Sequence, residues 1–147
     1  MTVERNVEVM RRWFDDVWNQ GRVETIYELL AENFTGYGQD APGVTIHGPE
    51  GFVALYKRLG SAFSDFKFIV EDAFGVGDKV TVRWSATMRH TGDFLDMAAT
   101  HRAVRITGIT IARFEGDMCV EAWDNWDQLA LVQQISAQAG GLAQAAG

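Results

Sequence analysis

The stretch that decides the fold is Met118-Cys-Val-Glu-Ala-Trp-Asp-Asn-Trp-Asp127, near the C-terminus. It alternates as a β-strand does, because successive side chains of a strand point to opposite faces. One face carries Val120, Ala122 and Asp124, and the other carries Glu121, Trp123 and Asn125. A carboxylate on the face of small apolar side chains either meets water at the end of the strand or projects into an enclosed cavity, where it has a chemical role.

The segment before this stretch predicts the strand that pairs with it. Residues 103–114 alternate, with Thr110 on the apolar side and four arginines of the predicted sheet on the outer side: Arg83, Arg89, Arg105 and Arg113. A hairpin at residues 115–117 joins the two strands. We expect a three-residue loop there that sets Thr110 opposite Asp124, since a two-residue loop would set Ile109 there and mix the faces.

The N-terminal half is predicted to be helical. An amphipathic helix covers residues 3–19, and a short second helix presents Val23, Ile26, Tyr27 and Leu30. Residues 34–38 are too rich in glycine for more than a short strand or a loop, and residues 39–48 contain turn formers. A third helix begins at Pro49-Glu50, and its buried face ends with Phe63.

The hydrophobic period changes from 3.6 to 2 at Phe66, which predicts strands over residues 66–71 and 80–90, with His90 on the apolar face. Residues 91–102 form a loop, whose Phe94, Leu95 and Met97 are suited to fold over an opening. A C-terminal helix presents Leu129, Val132 and Ile135. Three helices, four antiparallel strands and a last helix predict an α+β fold whose curved sheet wraps around the three N-terminal helices as a cone.

Composition limits the functions open to this chain. Its 147 residues suit one domain, here residues 1–136, followed by a flexible tail at 137–147. The net charge of −7 argues against nucleic acid, which is bound by clustered Lys and Arg. One cysteine excludes an internal disulfide, and we find no signal peptide or membrane segment. We therefore expect a soluble cytoplasmic protein that does not act at a membrane.

Four segments resemble the SnoaL-like polyketide cyclases, a family with the NTF2-like cone fold: Val17-Trp-Asn-Gln-Gly-Arg22, His47-Gly-Pro-Glu-Gly-Phe52, Val82-Arg-Trp-Ser-Ala-Thr87 followed by His90-Thr-Gly92, and Glu121-Ala-Trp-Asp-Asn-Trp-Asp127. The resemblance implies that Asp124 is a general acid/base. The family often has a histidine at the facing strand position, where this chain has Thr110. The family's common Pro-Pro-Thr-Gly turn is replaced by Ala98-Ala99-Thr100-His101.

Asp124, His90 and Thr110 are the candidate catalytic residues. A carboxylate in an apolar pocket has a raised pKa and can exchange a proton near neutral pH. Alternatively, Asp124 caps the next helix, His90 is a packed histidine and Thr110 is an ordinary strand residue. Candidate binding residues are mostly aromatic and suit a flat polycyclic ligand, although aromatic residues are usually plain core: Trp13, Phe14, Phe34, Tyr37, Phe63, Trp84, Met97 and Trp126.

These observations predict an enzyme that closes a ring in a hydrophobic oxygenated small molecule by an intramolecular aldol reaction, without a metal or other cofactor. His47 and His101 are assigned to loops, so no zinc site is predicted. The alternatives are a non-catalytic binding protein, an isomerase, an epoxide hydrolase or a hydroxylation-associated protein. An outer sheet face with Arg83, Arg105, Ile109, Ile111 and Trp123 predicts a homodimer packed sheet to sheet.

Overall fold

The computed structural model describes residues 2–136, so the predicted tail at 137–147 lies outside the described residues. The elements are α1 (Val3–Trp13), a π-helical segment (Phe14–Asn19), α2 (Val23–Leu29), β1 (Leu30–Tyr37), β2 (Thr45–His47), α3 (Gly48–Ala62), β3 (Phe63–Val76), β4 (Lys79–His90), β5 (Ala103–Glu115), β6 (Met118–Trp126) and α4 (Gln128–Ser136). None of the described helices is long and apolar enough to span a lipid bilayer. The predicted α+β class is confirmed.

The described strands form one sheet in the order β2-β1-β6-β5-β4-β3. All neighbours are antiparallel except β1 and β6, which run parallel. The sequence predicted four strands, and a short strand or a loop at residues 34–38. These residues belong to β1, in which Gly36 is needed because a Cβ on it would overlap the Gln39 side chain. Close packing, and not a loop, explains this glycine.

The sheet is curved and does not close, and irregularities in its edge strand help to bend it. The pairing of β3 with β4 shifts register twice, between Ser64 and Lys67 and between Val70 and Asp72. Asp65, inside the first shift, has a φ of 57°, in the left-handed region. Bulges of this kind increase the local bend and twist of a strand. β3 begins at Phe63, so this side chain belongs to the strand and not to the third helix.

The first helix ends in a wider turn, the π-helical segment. Gln20 N–H donates to Asp15 O over 2.9 Å, five residues back. The Asn19 amide then makes two hydrogen bonds to the Phe68 backbone, of 2.7 and 3.0 Å, which tie the segment to β3. Phe14, Val17 and Trp18 are all buried toward the sheet as a result.

The hairpin between β5 and β6 differs from the prediction, but the predicted pairing is correct. Glu115 pairs with Met118, so the connection has two residues, and the expected three-residue loop is wrong. A bulge at Val120 then shifts the register by one residue and sets Thr110 opposite Asp124. The bulge also turns Cys119 inward, so consecutive residues of β6 are buried.

Two predicted helical faces also need correction. In α4 the buried residues are Leu131 and Ile135, whereas Leu129 is 66% exposed. In α2, Tyr27 is 47% exposed, and Leu30 already belongs to β1. Short helices contain too few turns for apolar spacing to identify the buried side.

Candidate active site

A cavity of about 90 Å³ lies between the helices and the concave face of the sheet. Six of the eight predicted binding residues line it: Trp13, Phe14, Phe34, Phe63, Trp84 and Trp126. Four further aromatic residues, which were not predicted as binding residues, also line it: Trp18, Phe52, Phe66 and Phe68. The cavity is smaller than an engineered cavity of roughly 150 Å³ that binds benzene. It therefore has room for no more than one ring, and a polycyclic ligand would require the aromatic walls to move.

Trp84 forms one wall of the cavity and connects it to the site residues. It lies across Gly108 of β5, where a Cβ would overlap the indole ring. This position brings its Nε1–H within 3.0 Å of Thr110 Oγ1, to which it donates. The Thr110 hydroxyl accepts that bond, so its own proton is left for another acceptor.

Asp124 lies at the polar end of the cavity, beside Thr110. The residue as a whole is partly buried, but its Oδ1 is fully buried and receives no hydrogen bond from the described residues. Burial removes the water that stabilises the ionised form and raises the pKa of Asp124 from 3.8 to about 7. The Thr110 hydroxyl, as a donor to the carboxylate, opposes this rise in pKa. Asp124 can therefore both accept and return a proton near neutral pH.

Gln39 is a cavity residue that was not predicted from the sequence. Its side chain is 7% exposed, and its Nε2 donates to Ala122 O over 3.2 Å. Its Oε1 is buried beside Gly36 without a protein donor among residues 2–136, and the residue lines the same cavity as Asp124. A buried polar residue in a predicted turn has no periodic signal that would identify it. The Gly36 and Gly38 pair that admits it was the available hint.

His90 is not brought together with Asp124, which corrects the expectation that it assists there. Val82 pairs with Thr110, and Thr110 pairs with Asp124. His90 lies eight residues further along β4, about 26 Å at a strand's rise per residue. It is fully buried against Phe63 and is not one of the cavity-lining residues that the structure describes. Its Nδ1 accepts from the Thr100 N–H over 3.2 Å.

Tyr37 and Met97 also lie away from the cavity. Tyr37 follows the inward-facing Gly36 in β1, so its side chain lies on the outer face of the sheet. There it is 36% exposed, and its ring stacks on that of Trp123 with centroids 5.8 Å apart. Met97 forms a small bridge with Phe94 in the loop after β4. That loop packs on Phe63 through Phe94, at 5.1 Å, and so covers the His90 end of the core.

Among the described cavity-lining residues, Asp124 and Cys119 carry the titratable side chains. Burial raises the pKa of the Cys119 thiol to about 12, so it is neutral at physiological pH. The proton chemistry available to a bound ligand therefore centres on one carboxyl group. No group of three or more His, Cys, Asp or Glu side chains that could hold a metal ion occurs in residues 2–136.

The model of the SnoaL-like polyketide cyclase family matches residues 8–135, which is most of the chain and includes every cavity residue named above. The chain belongs to the SnoaL-like polyketide cyclase family. The resemblance predicted from four sequence segments is thereby confirmed. No functionally curated protein matches the chain.

Solved structures agree with this family and its NTF2-like fold. A candidate SnoaL-like polyketide cyclase from Jannaschia sp. CCS1 is 25% identical, with a TM-score of 0.82 over 91% of this chain and 93% of that one. IdmH, a candidate polyketide cyclase from Streptomyces antibioticus, is 24% identical, with a TM-score of 0.75 over 88% and 96%. AclR, a candidate hydroxylase from Streptomyces galilaeus, is 20% identical, with a TM-score of 0.80 over 92% and 83%. The last two likenesses show the fold alone.

Proposed function

We propose that this SnoaL-like protein is an acid/base enzyme that closes a ring in a small oxygenated molecule by an intramolecular aldol reaction. The observation that carries the proposal is the position of Asp124. Its carboxyl group lies in an apolar cavity, and burial raises its pKa to about 7. A proton carrier is most effective when its pKa is near the working pH.

In the proposed reaction, the Asp124 carboxylate removes a proton from the carbon next to a substrate carbonyl, and an enolate forms. The enolate carbon attacks a second carbonyl carbon of the same molecule, so that a carbon–carbon bond forms and the second oxygen becomes an alkoxide. The alkoxide takes the proton back from the Asp124 carboxylic acid. The product is a cyclic β-hydroxy ketone, and the carboxylate is regenerated without a net change in protons.

The neighbours of Asp124 support a positioning role for Thr110. Trp84 fixes the Thr110 oxygen through a 3.0 Å hydrogen bond, which directs the hydroxyl proton toward the carboxylate. Thr110 thus favours the ionised base, whereas desolvation favours the acid. His90 is left out of the proposed proton transfer because the strand pairing separates it from Asp124.

The cavity also limits the substrate. A volume of about 90 Å³ favours a molecule of one ring or its open-chain precursor over a fused polycycle. The walls pre-fold such a chain, and holding two reacting carbons close together lowers the entropic part of the barrier. We propose no cofactor for this reaction, since proton transfer and folding of the substrate are sufficient for it.

The probe for this proposal is 2,6-heptanedione, a diketone whose aldol closure and loss of water give 3-methylcyclohex-2-enone. Exchange of its α-protons in D₂O and formation of the ring are followed by ¹H NMR. We expect Asp124→Asn to slow both by about 100-fold or more, the usual contribution of a positioned acid/base. Asp117→Asn is the matched control, because Asp117 lies exposed in the β5–β6 turn. Equal rates in the Asp124→Asn variant and the wild type would remove Asp124 from the mechanism.

Isomerisation is the second candidate, because one carboxyl that removes a proton and returns it at another carbon is sufficient for it. The two reactions differ in their products, since isomerisation moves a double bond and forms no ring. An NMR titration separates both from simple ligand binding. A carboxyl carbon of Asp124 that titrates near the ordinary value of about 3.9 would favour a protein that only binds its ligand.

We also propose that the protein forms a homodimer through the outer face of the sheet. Ile69 is 47% exposed and Ile109 is 45% exposed, and the stacked Tyr37 and Trp123 lie on the same side. Apolar area of this kind is typical of interfaces between copies. Sedimentation should show a dimer that Ile109→Lys weakens, and a monomer at high concentration would contradict the proposal.

A further inference from the structure

A strained loop covers one end of the cavity. Residues 91–102 join β4 to β5, and the Phe94 ring packs on that of Phe63, a cavity residue, with centroids 5.1 Å apart. L side chains avoid a left-handed φ, because the Cβ crowds the next carbonyl oxygen. Within residues 2–136, four residues other than glycine have such a φ, and three of them lie in this loop: Leu95 at 50°, Asp96 at 63° and His101 at 59°. Contacts outside the loop must hold it in this conformation.

His90 makes the buried contact that holds the loop. Its ring is fully buried beside Phe63, with ring centroids 5.3 Å apart. The Thr100 N–H donates to His90 Nδ1 over 3.2 Å, and Thr100 Oγ1 lies 3.0 Å from the same nitrogen. The backbone adds a bond of 2.8 Å from the His101 N–H to His90 O. His90 thus fixes the loop directly beside one of its strained residues.

The bond from Thr100 also decides where the ring proton of His90 lies. A ring nitrogen that accepts from an N–H carries no proton, so the neutral ring has its proton on Nε2. Nε2 is buried without a partner among the residues that the structure describes. A second proton, on Nδ1, can be donated to Thr100 Oγ1, but the Thr100 N–H then loses its acceptor. The closed loop therefore suits the neutral ring.

A charged His90 would also lack a nearby counter-ion. None of the ion pairs within residues 2–136 includes His90. Arg102 is partly buried and donates to Gln134 O over 3.5 Å, and α4 contains no charged residue. The other charged or titratable side chains at this end of α3, the sheet and the loop are exposed to solvent: Arg58, Asp65, Arg89, Asp93, Asp96, His101 and Arg105. A buried charge without a partner is costly, so protonation favours a state in which the ring meets water.

We propose that His90 is a pH-sensitive latch on the loop of residues 91–102. The neutral ring holds the loop closed over the Phe63 end of the cavity. When the ring takes up a proton, the bond from the Thr100 N–H is lost, the strained backbone relaxes, and the loop opens. Acidic solution therefore opens this end of the cavity, and neutral solution closes it. The latch does not depend on the reaction proposed at Asp124.

The first test is hydrogen exchange of the Thr100 amide in the wild type, followed by NMR at pH 5.5 and 7.5 and corrected for the intrinsic exchange rate at each pH. An imidazole in water takes up a proton at about pH 6.5. If the open loop alone admits that proton, the ratio of open to closed loop should rise by about tenfold from pH 7.5 to pH 5.5. A rise of less than about twofold would overturn the proposal, and this measurement needs no variant.

The second test replaces the latch. His90→Phe keeps a ring against Phe63 but removes the acceptor, so the Thr100 amide should exchange about fivefold faster at pH 7.5, the equilibrium factor of one neutral hydrogen bond. Its corrected exchange should not depend on pH. His101→Asn is the matched control, because it removes the exposed histidine of the same loop and Asn tolerates a left-handed φ. A pH response that disappears in His101→Asn and persists in His90→Phe would refute the latch.

The third test relieves the strain. Leu95 and Asp96 are the central residues of a turn in which Phe94 and Met97 exchange two backbone hydrogen bonds of 2.9 Å. Asn-Gly is the preferred pair where both central residues have a positive φ. Leu95→Asn combined with Asp96→Gly should therefore slow Thr100 exchange by about fivefold or more at both pH values. Unchanged exchange would contradict the stored strain on which opening depends.

Ligand entry is measured with fluorobenzene by ¹⁹F NMR at pH 7.5, where all the proteins are compared under one condition. Association should be faster in His90→Phe and slower in the turn variant than in the wild type. Equal association rate constants, or no uptake of the probe by any of the three, would overturn the role of the latch in opening the cavity. Fluorobenzene undergoes no proton transfer here, so failure of the heptanedione reaction would leave these results intact.

Discussion

Replacing Asp124 with Asn should stabilise the folded chain at alkaline pH, even though it should abolish activity. The pKa of Asp124 is about 7 in the folded chain and returns to the ordinary 3.8 on unfolding. The folded chain therefore holds a proton between these values that the unfolded chain releases. Wild-type stability falls as the pH rises through this window, by up to roughly 4 kcal/mol above pH 7. Asparagine does not titrate, so the variant lacks this loss.

The assay is urea unfolding at pH 5.5 and 8.0. At pH 5.5 the wild type has lost only about half of the stability that it loses by pH 8.0. The free energy of unfolding of Asp124→Asn relative to wild type should therefore increase by about 2 kcal/mol from pH 5.5 to pH 8.0. Any constant effect of the amide on packing cancels in this comparison. Asp117→Asn, exposed in its turn, should show no such change. An Asp124→Asn difference that stays constant with pH, within about 0.5 kcal/mol, would show that the carboxyl is not desolvated and would refute the reasoning.

Three further perturbations follow from the same contacts. Thr110→Val removes the donor that favours the ionised form, so the pKa of Asp124 should rise further. The acid limb of the activity profile, on which activity grows as the carboxylate ionises, should therefore move to higher pH. Thr107→Val, exposed on the same strand, should leave the pH profile unchanged. Gly108→Ala should lower the free energy of unfolding by about 1–3 kcal/mol, because the new methyl group overlaps the indole that lies across it; wild-type stability in urea would contradict this. The Cys119 thiol, buried and with its pKa raised to about 12, should react with a disulfide reagent only as fast as the chain unfolds, and rapid labelling at neutral pH would show that it is exposed.

Much of the fold could be predicted from the sequence, because the strands alternate clearly. The pattern of residues 80–90 and 103–114 placed β4 and β5 to within a residue or two, and the inward phase of Asp124 followed from its neighbours. β1 and β2 were harder, since Gly36 is explained by a contact with Gln39 and not by local propensity. The hairpin shows the same limit. The predicted loop length was wrong, but a bulge at Val120 sets Thr110 opposite Asp124, as predicted.

The candidate site was only partly predictable for a related reason. Strand phase identifies which side chains face inward, but it does not say how far apart they lie along the strand. His90 shares a face with Val82 and yet lies near the opposite end of β4. Gln39 was not predicted, since its burial depends on a left-handed Gly38 and on two hydrogen bonds with β6. Such long-range contacts leave no periodic trace in a sequence.

The π-helical segment gives this protein a place where its interior can be reshaped without a change of fold. A π-turn contains one residue more than an α-turn of the same span. Removing one residue from Phe14–Asn19 would restore an ordinary helix and leave α1 and the Asn19–Phe68 anchor in register. If the residue removed is Phe14 or Trp18, both of which line the cavity, one aromatic side chain leaves the cavity wall and the enclosed space grows. Natural variation or design by single-residue deletion there would thus tune the size of the accepted molecule.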